Sequence, residues 1–173
     1  MKSLITILAL LSALLSAAVV MAKDNSEVLG FKLGAEWKPA YSSDRHRSTI
    51  LEFTREGDDI NSWKELVTYQ NFVRHGKESA EDTLNKLKAI REKECPGATE
   101  WNVIDKNESR ILYEWHAKPC LSWPEQSELA TIVVGRYNVF LLRYAAKVHE
   151  VGPDVRAEWI KRFSAVAINS NQK

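Results

Sequence analysis

Two residues of this sequence stand out for their chemistry, Cys95 in ECPGA and Cys120 in KPCLSW, the only cysteines in the chain. A redox pair requires C-x-x-C, and a zinc site requires further ligands at regular spacing. Neither pattern is present, so a structural disulfide is the expected pairing. Closing a loop of this length stabilises a fold by about 3–4 kcal/mol in the chain-entropy account, less any strain. The four histidines, His46, His75, His116 and His149, lie far apart and none forms a ligand-spaced pair. No metal is therefore expected. The segment NFVRHGKES is the leading candidate for a site. Arg74, His75 and Lys77 follow a strand end, Gly76 permits an unusual backbone angle, and Ser79 opens a helix whose N-terminus attracts anions. These three side chains are the candidate ligand-binding residues, for a small carboxylate or phosphate. The same residues also make an ordinary strand-to-helix connection with solvated charges and a capping serine. Nucleophile-elbow, Walker, dinucleotide and H-E-x-x-H motifs are absent, and no cofactor is expected.

The compartment is written at the N-terminus. MKSLITILALLSALLSAAVVMAKD places Lys2 before an uncharged run and ends that run on Val20-Met21-Ala22. This is the layout of a secretory signal peptide over 1–22, cut between Ala22 and Lys23. The expected mature chain, 23–173, is a single domain with no further span, periplasmic or secreted, in surroundings that let thiols oxidise. Removing the signal removes Lys2 alone, so basic and acidic side chains then balance. A neutral chain without a long basic run argues against nucleic acid held by bulk charge.

The elements that position the cysteines can be read between them. Trp101–Asp105 and Ile111–Trp115 are β-rich runs around Asn107-Glu108-Ser109, a hairpin signature. Pairing Trp101 with Trp115, Val103 with Tyr113 and Asp105 with Ile111 gathers the large apolar groups on one face, with a three-residue loop. Asn102, Glu114 and His116 fall on the other face. Both cysteines then lie at the open end of the hairpin, within reach of one another if the chain bends there.

Ser48–Thr54 and Lys64–Phe72 read as strands. SELATIVVGRYNVFLLRYAAK reads as a hairpin broken at Gly135–Asn138, apolar enough to be central in a sheet. One helix spans about 78–95, with Ser79 and Asp82 as an N-cap pair and Leu84, Leu87 and Ile90 on one face. The other spans about 153–168, starting at Pro153 and carrying the stripe Val155, Trp159, Phe163, Val166. The expected fold is α+β, a largely antiparallel sheet of about six strands packed by two helices. NSNQK is a polar tail.

This element order, with the helix AEWIKRFSAVA at the end, resembles the PsbP/Mog1/DcrB-like domains over most of residues 26–168. The resemblance implies an accessory, non-catalytic protein. Six tryptophans fit either core packing or, where exposed together, a partner surface. The expected function is an exported non-catalytic accessory domain that binds an envelope or extracellular protein partner, or a small ligand. The alternative is a small hydrolase or transferase with its site near Arg74-His75.

Overall fold

The computed structural model describes residues 27–45 and 47–170. The expected signal peptide over 1–22, His46 and the last three residues of the tail lie outside the described residues. The described elements run β1 (Glu27–Gly30), β2 (Trp37–Arg45), β3 (Ser48–Arg55), β4 (Glu65–Val73), α1 (Ala80–Glu94), β5 (Thr99–Lys106), β6 (Arg110–Ala117), β7 (Gln126–Val134), β8 (Asn138–Ala146), α2 (Pro153–Ser164) and β9 (Ala167–Ser170). Seven strands form one antiparallel sheet, ordered β2-β3-β4-β8-β7-β6-β5, and β1 pairs with β9 in a second. The protein is α+β, as expected. No helix among the described residues is long and apolar enough to cross a membrane.

The seventh strand of the main sheet is β2, within the lead that carries no strand signal. Its residues WKPAYSSDR are mostly exposed, so no apolar alternation marks it. Pro39 cannot donate to a ladder, and it sits on the edge strand where the register slips between Pro39 and Tyr41. At the other end, α2 stops at Ser164 rather than near 168. Residues 167–170 leave the helix to pair with β1, so Ile168 faces Leu29 across β9 and β1.

The hairpin β5–β6 pairs Trp101 with Trp115 and Val103 with Tyr113, as its aromatic faces require. Its loop is shorter than the expected three residues. Asn107 N–H donates to the Arg110 carbonyl at 2.9 Å, and the Asn107 carboxamide oxygen accepts from Ser109 N–H at 3.0 Å. Asp105 consequently pairs with Leu112, not Ile111, and a bulge between Val103 and Asp105 absorbs the difference. A bulge supplies one extra residue, so the tight turn and the aromatic face coexist.

The helices lie on opposite faces of the sheet, both over β6 and β7. Trp159 of α2 stacks on Tyr144 at 4.6 Å between ring centroids and meets Trp37 edge-on at 5.8 Å, with Phe163 fully buried beside them. On the other face Leu84 of α1 packs against Ile111, Tyr113, Trp115 and Ile132. The Ser79–Asp82 capping box is formed. Ile90, expected on the buried stripe, is 54% exposed. Among the described residues no helix covers the β3–β4 half of the α1 face, so the stripe runs out into an open groove.

Glu27 fixes the start of the described chain. Its carboxylate is buried and accepts the backbone N–H groups of Arg136, Tyr137 and Asn138 at 2.7, 2.9 and 3.0 Å. Gly135 permits the approach, because a Cβ there would run into the Glu27 carboxylate. Hydrogen bonds to a charged acceptor are worth more than neutral ones. Glu27→Ala is therefore expected to lower stability by about 2–3 kcal/mol in urea unfolding. A loss under about 0.5 kcal/mol, the scale of ordinary surface changes, would contradict this reading.

Candidate functional site

The hairpin's open end is tied as the cysteines require. Cys95 closes α1 and is bonded to Cys120, with Cα atoms 6.0 Å apart. Beyond β6, Lys118 N–H donates to the Ala98 carbonyl at 2.9 Å, and Cys120 and Trp123 exchange backbone hydrogen bonds at 3.1 and 2.9 Å. The loop between β6 and β7 is thus held against the C-terminal end of α1. It presents Trp123, 50% exposed, on one side, and Glu125 just before β7.

Trp123 helps line a groove of about 370 Å³ beside α1. Four tryptophans reach it from separate places: Trp63 from the β3–β4 connection, Trp101 from β5, Trp115 from β6, and Trp123 from the disulfide loop. The Arg91 guanidinium lies 4.5 Å from the Trp115 ring centroid and 5.5 Å from that of Trp123, and Lys147 Nζ lies 4.3 Å from that of Trp63. Cation–aromatic contacts of this kind hold the rings in place. The floor comes from β3, β4, β7 and β8, where Glu52, Thr68, Glu128 and Arg143 are interspersed with Leu66 and Ala145.

Glu128 is buried at 4% exposure and accepts from Trp115 Nε1 at 2.9 Å. Burial raises its pKa above the ordinary carboxylate value, opposed by the nearby Arg143 charge, the Trp115 hydrogen bond and Arg91. Arg143 sits on the next strand, directly across from Ala130. Its Nε is enclosed without a hydrogen-bond partner, and its Nη2 reaches Gln70 only at 3.5 Å. A titratable group perturbed by desolvation beside a specific charge, within a concavity, marks a candidate site.

A second cleft, of about 310 Å³, opens on the α2 face. Arg156 grips Glu114 through two hydrogen bonds, at 2.7 and 2.9 Å. That grip, opposed by partial burial and helped by Asn102, lowers the Glu114 pKa below the usual value. His116 and His149 also line this cleft, with ring centroids 4.4 Å apart and the Glu125 carboxylate beside both.

The fold does not combine Arg74, His75 and Lys77 into one site. The Arg74 guanidinium donates to the Glu78 and Gly135 carbonyls at 3.0 and 2.8 Å, which ties the strand end to the β7–β8 turn. His75 and Lys77 are exposed, and Gly76 takes a left-handed φ of 62°. His75 borders an open depression with Glu78 and Asp82. Both carboxylates are held below the ordinary range, Glu78 chiefly by its hydrogen bond from Lys86 and Asp82 chiefly by Ser79. The helix N-terminus already has a carboxylate of its own, since Asp82 accepts from Ser79 N–H at 2.9 Å.

Sequence reasoning passed over Glu128, Arg143, Arg91 and Glu125. Glu128 carried the one available signal, an acid at the start of a strand that is otherwise largely apolar. Comparison with known proteins adds no family: no family model matches the chain, and no curated protein matches it.

Proposed function

We propose that this is an exported, non-catalytic accessory domain and that the groove beside α1 takes a peptide segment of an envelope or extracellular protein partner. The convergence of four tryptophans over a floor containing Arg143 carries the reading. Aromatic side chains and arginine concentrate at the energetic centres of protein interfaces. Apolar side chains of the segment would lie against Trp63 and Trp123, and an acidic side chain would pair with the Arg143 guanidinium where it lines the groove. Export is supported by the Cys95–Cys120 disulfide together with the signal-like N-terminus.

A photo-crosslinking residue placed at Tyr41, on the edge strand away from the groove, provides the control for the same residue at Trp63. From the intact exporting cell, position 63 is expected to give a discrete protein adduct that disappears in the Arg143→Gln background, while position 41 gives none. Equal labelling at both positions, or an adduct that persists in Arg143→Gln, would contradict the groove reading.

A further inference from the structure

Three donors from three separate segments meet at the outer end of β6 and β7. His116 comes from β6, Glu125 from the residue before β7, and His149 from the connection between β8 and α2. One ligand-type atom from each lies within 4.8 Å of the other two. Glu125 Oε1 stands 3.0 Å from His149 Nδ1 and 3.5 Å from His116 Nε2. Donors bound to a tetrahedral zinc at about 2.0–2.2 Å are separated from one another by about 3.4 Å. The two Glu125 distances are close to that separation, and the three donors are near enough to share one ion.

The hydrogen bonds behind the cluster fix how His116 presents itself. Ser127 Oγ–H donates to the His149 carbonyl at 2.7 Å, so its oxygen is left as an acceptor toward His116 Nδ1, 3.2 Å away. The proton of neutral His116 therefore sits on Nδ1, and the Nε2 lone pair faces the Glu125 carboxylate. Nε2 is buried and has no hydrogen-bond partner. Two lone pairs set against each other leave an electron-rich gap that a cation, either a proton or a metal ion, would fill. A ligating histidine steadied through its other nitrogen is the usual arrangement behind a metal.

Two imidazoles and one carboxylate suit a borderline first-row ion such as zinc, whereas calcium and magnesium prefer all-oxygen sites. We propose that His116, Glu125 and His149 form a binding site for a divalent transition-metal ion, zinc being the reference case, with Ser127 as the positioning residue for His116. The side chains of His149 and Glu125 are 73% and 39% exposed, so an ion has a path in and room for a ligand from solvent or from a bound molecule in the adjoining cleft. Such an ion would pin the β8–α2 connection to the disulfide loop. This inference does not rest on the groove reading, because none of the three ligands lines the groove.

Titration calorimetry of the purified protein, disulfide formed and stripped of metal, with Zn²⁺ alone decides it. One equivalent of Zn²⁺ is expected to bind, while Mg²⁺ and Ca²⁺ give no saturable heat. His116→Gln and His149→Gln should each weaken Zn²⁺ binding about 100-fold, and Ser127→Ala about 10-fold. The His149 side chain is exposed, so His149→Gln should melt with the wild-type midpoint in chelator and lose the zinc-induced rise. It remains decisive even where His116→Gln fails to fold. No stoichiometric binding by the wild type, or binding by His149→Gln equal to wild type, would overturn the site.

Discussion

The double variant Cys95→Ser/Cys120→Ser is expected to unfold with a free energy about 3–4 kcal/mol lower than the oxidised protein, because it restores the entropy of an open loop to the unfolded chain. The bond spans a sequence separation of 25 and joins the end of α1 to the loop after β6. Its removal should act locally as well as globally. The loop's remaining backbone ties are the Lys118–Ala98 hydrogen bond and the Cys120–Trp123 turn, so amide exchange across 118–125 should accelerate while the β7–β8 ladder stays protected. Urea unfolding and hydrogen exchange on the oxidised protein and the variant check both parts. Stability within about 1 kcal/mol of the oxidised protein would be far below the usual cost of losing such a bond and would contradict the assignment of the disulfide as a main support.

Trp159→Ala should cost about 4 kcal/mol, within the range for removing a buried aromatic side chain. Trp159 is 4% exposed and lies at the junction of three rings, stacked on Tyr144 and in contact with Trp37 and Phe163. Those three come from β8, β2 and α2 itself, so the cavity would be shared by rigid elements and would collapse poorly. Trp123→Ala provides the contrast. Its ring is half exposed in a loop, and the change should stay near 0.5 kcal/mol, as for other surface positions. Equal losses for the two variants in urea unfolding would mean that the core does not sit where these contacts place it.

Short-range pattern was enough for the parts of the fold that bury an alternating or periodic face. The β7–β8 hairpin, the Ser79 cap and the Trp159–Phe163 stripe are of this kind. The edge was harder to read, because an edge strand such as β2 needs no apolar alternation and tolerates Pro39. The β1–β9 pair was hidden for a different reason. Each strand has four residues, and each is specified by the other across almost the whole chain. In the β5–β6 hairpin the aromatic faces correctly favoured Trp101 opposite Trp115, yet the loop length was misread because the bulge beside Ile104 leaves no mark of its own.

The candidate sites show the same division. Alternation along β6 placed Glu114 and His116 on one polar face. That His149 returns to that face depends on the β6–β7 and β7–β8 registers together with a bend after Ala146, none of which is local. The tryptophan groove likewise exists only because α1 covers half of one face and leaves the other half open. The Arg74–Lys77 segment was conspicuous for its composition, but its geometry is that of a connection, with Arg74 spent on two backbone carbonyls.

The Cys95–Cys120 bond holds Trp123 and Glu125 in position, and one measurement tests it together with the proposed export. Protein recovered from its native compartment, alkylated without reductant and weighed intact, should have the mass of residues 23–173 less two hydrogens, with no alkyl group attached. A mass carrying two alkyl groups, or one that still includes residues 1–22, would contradict the account.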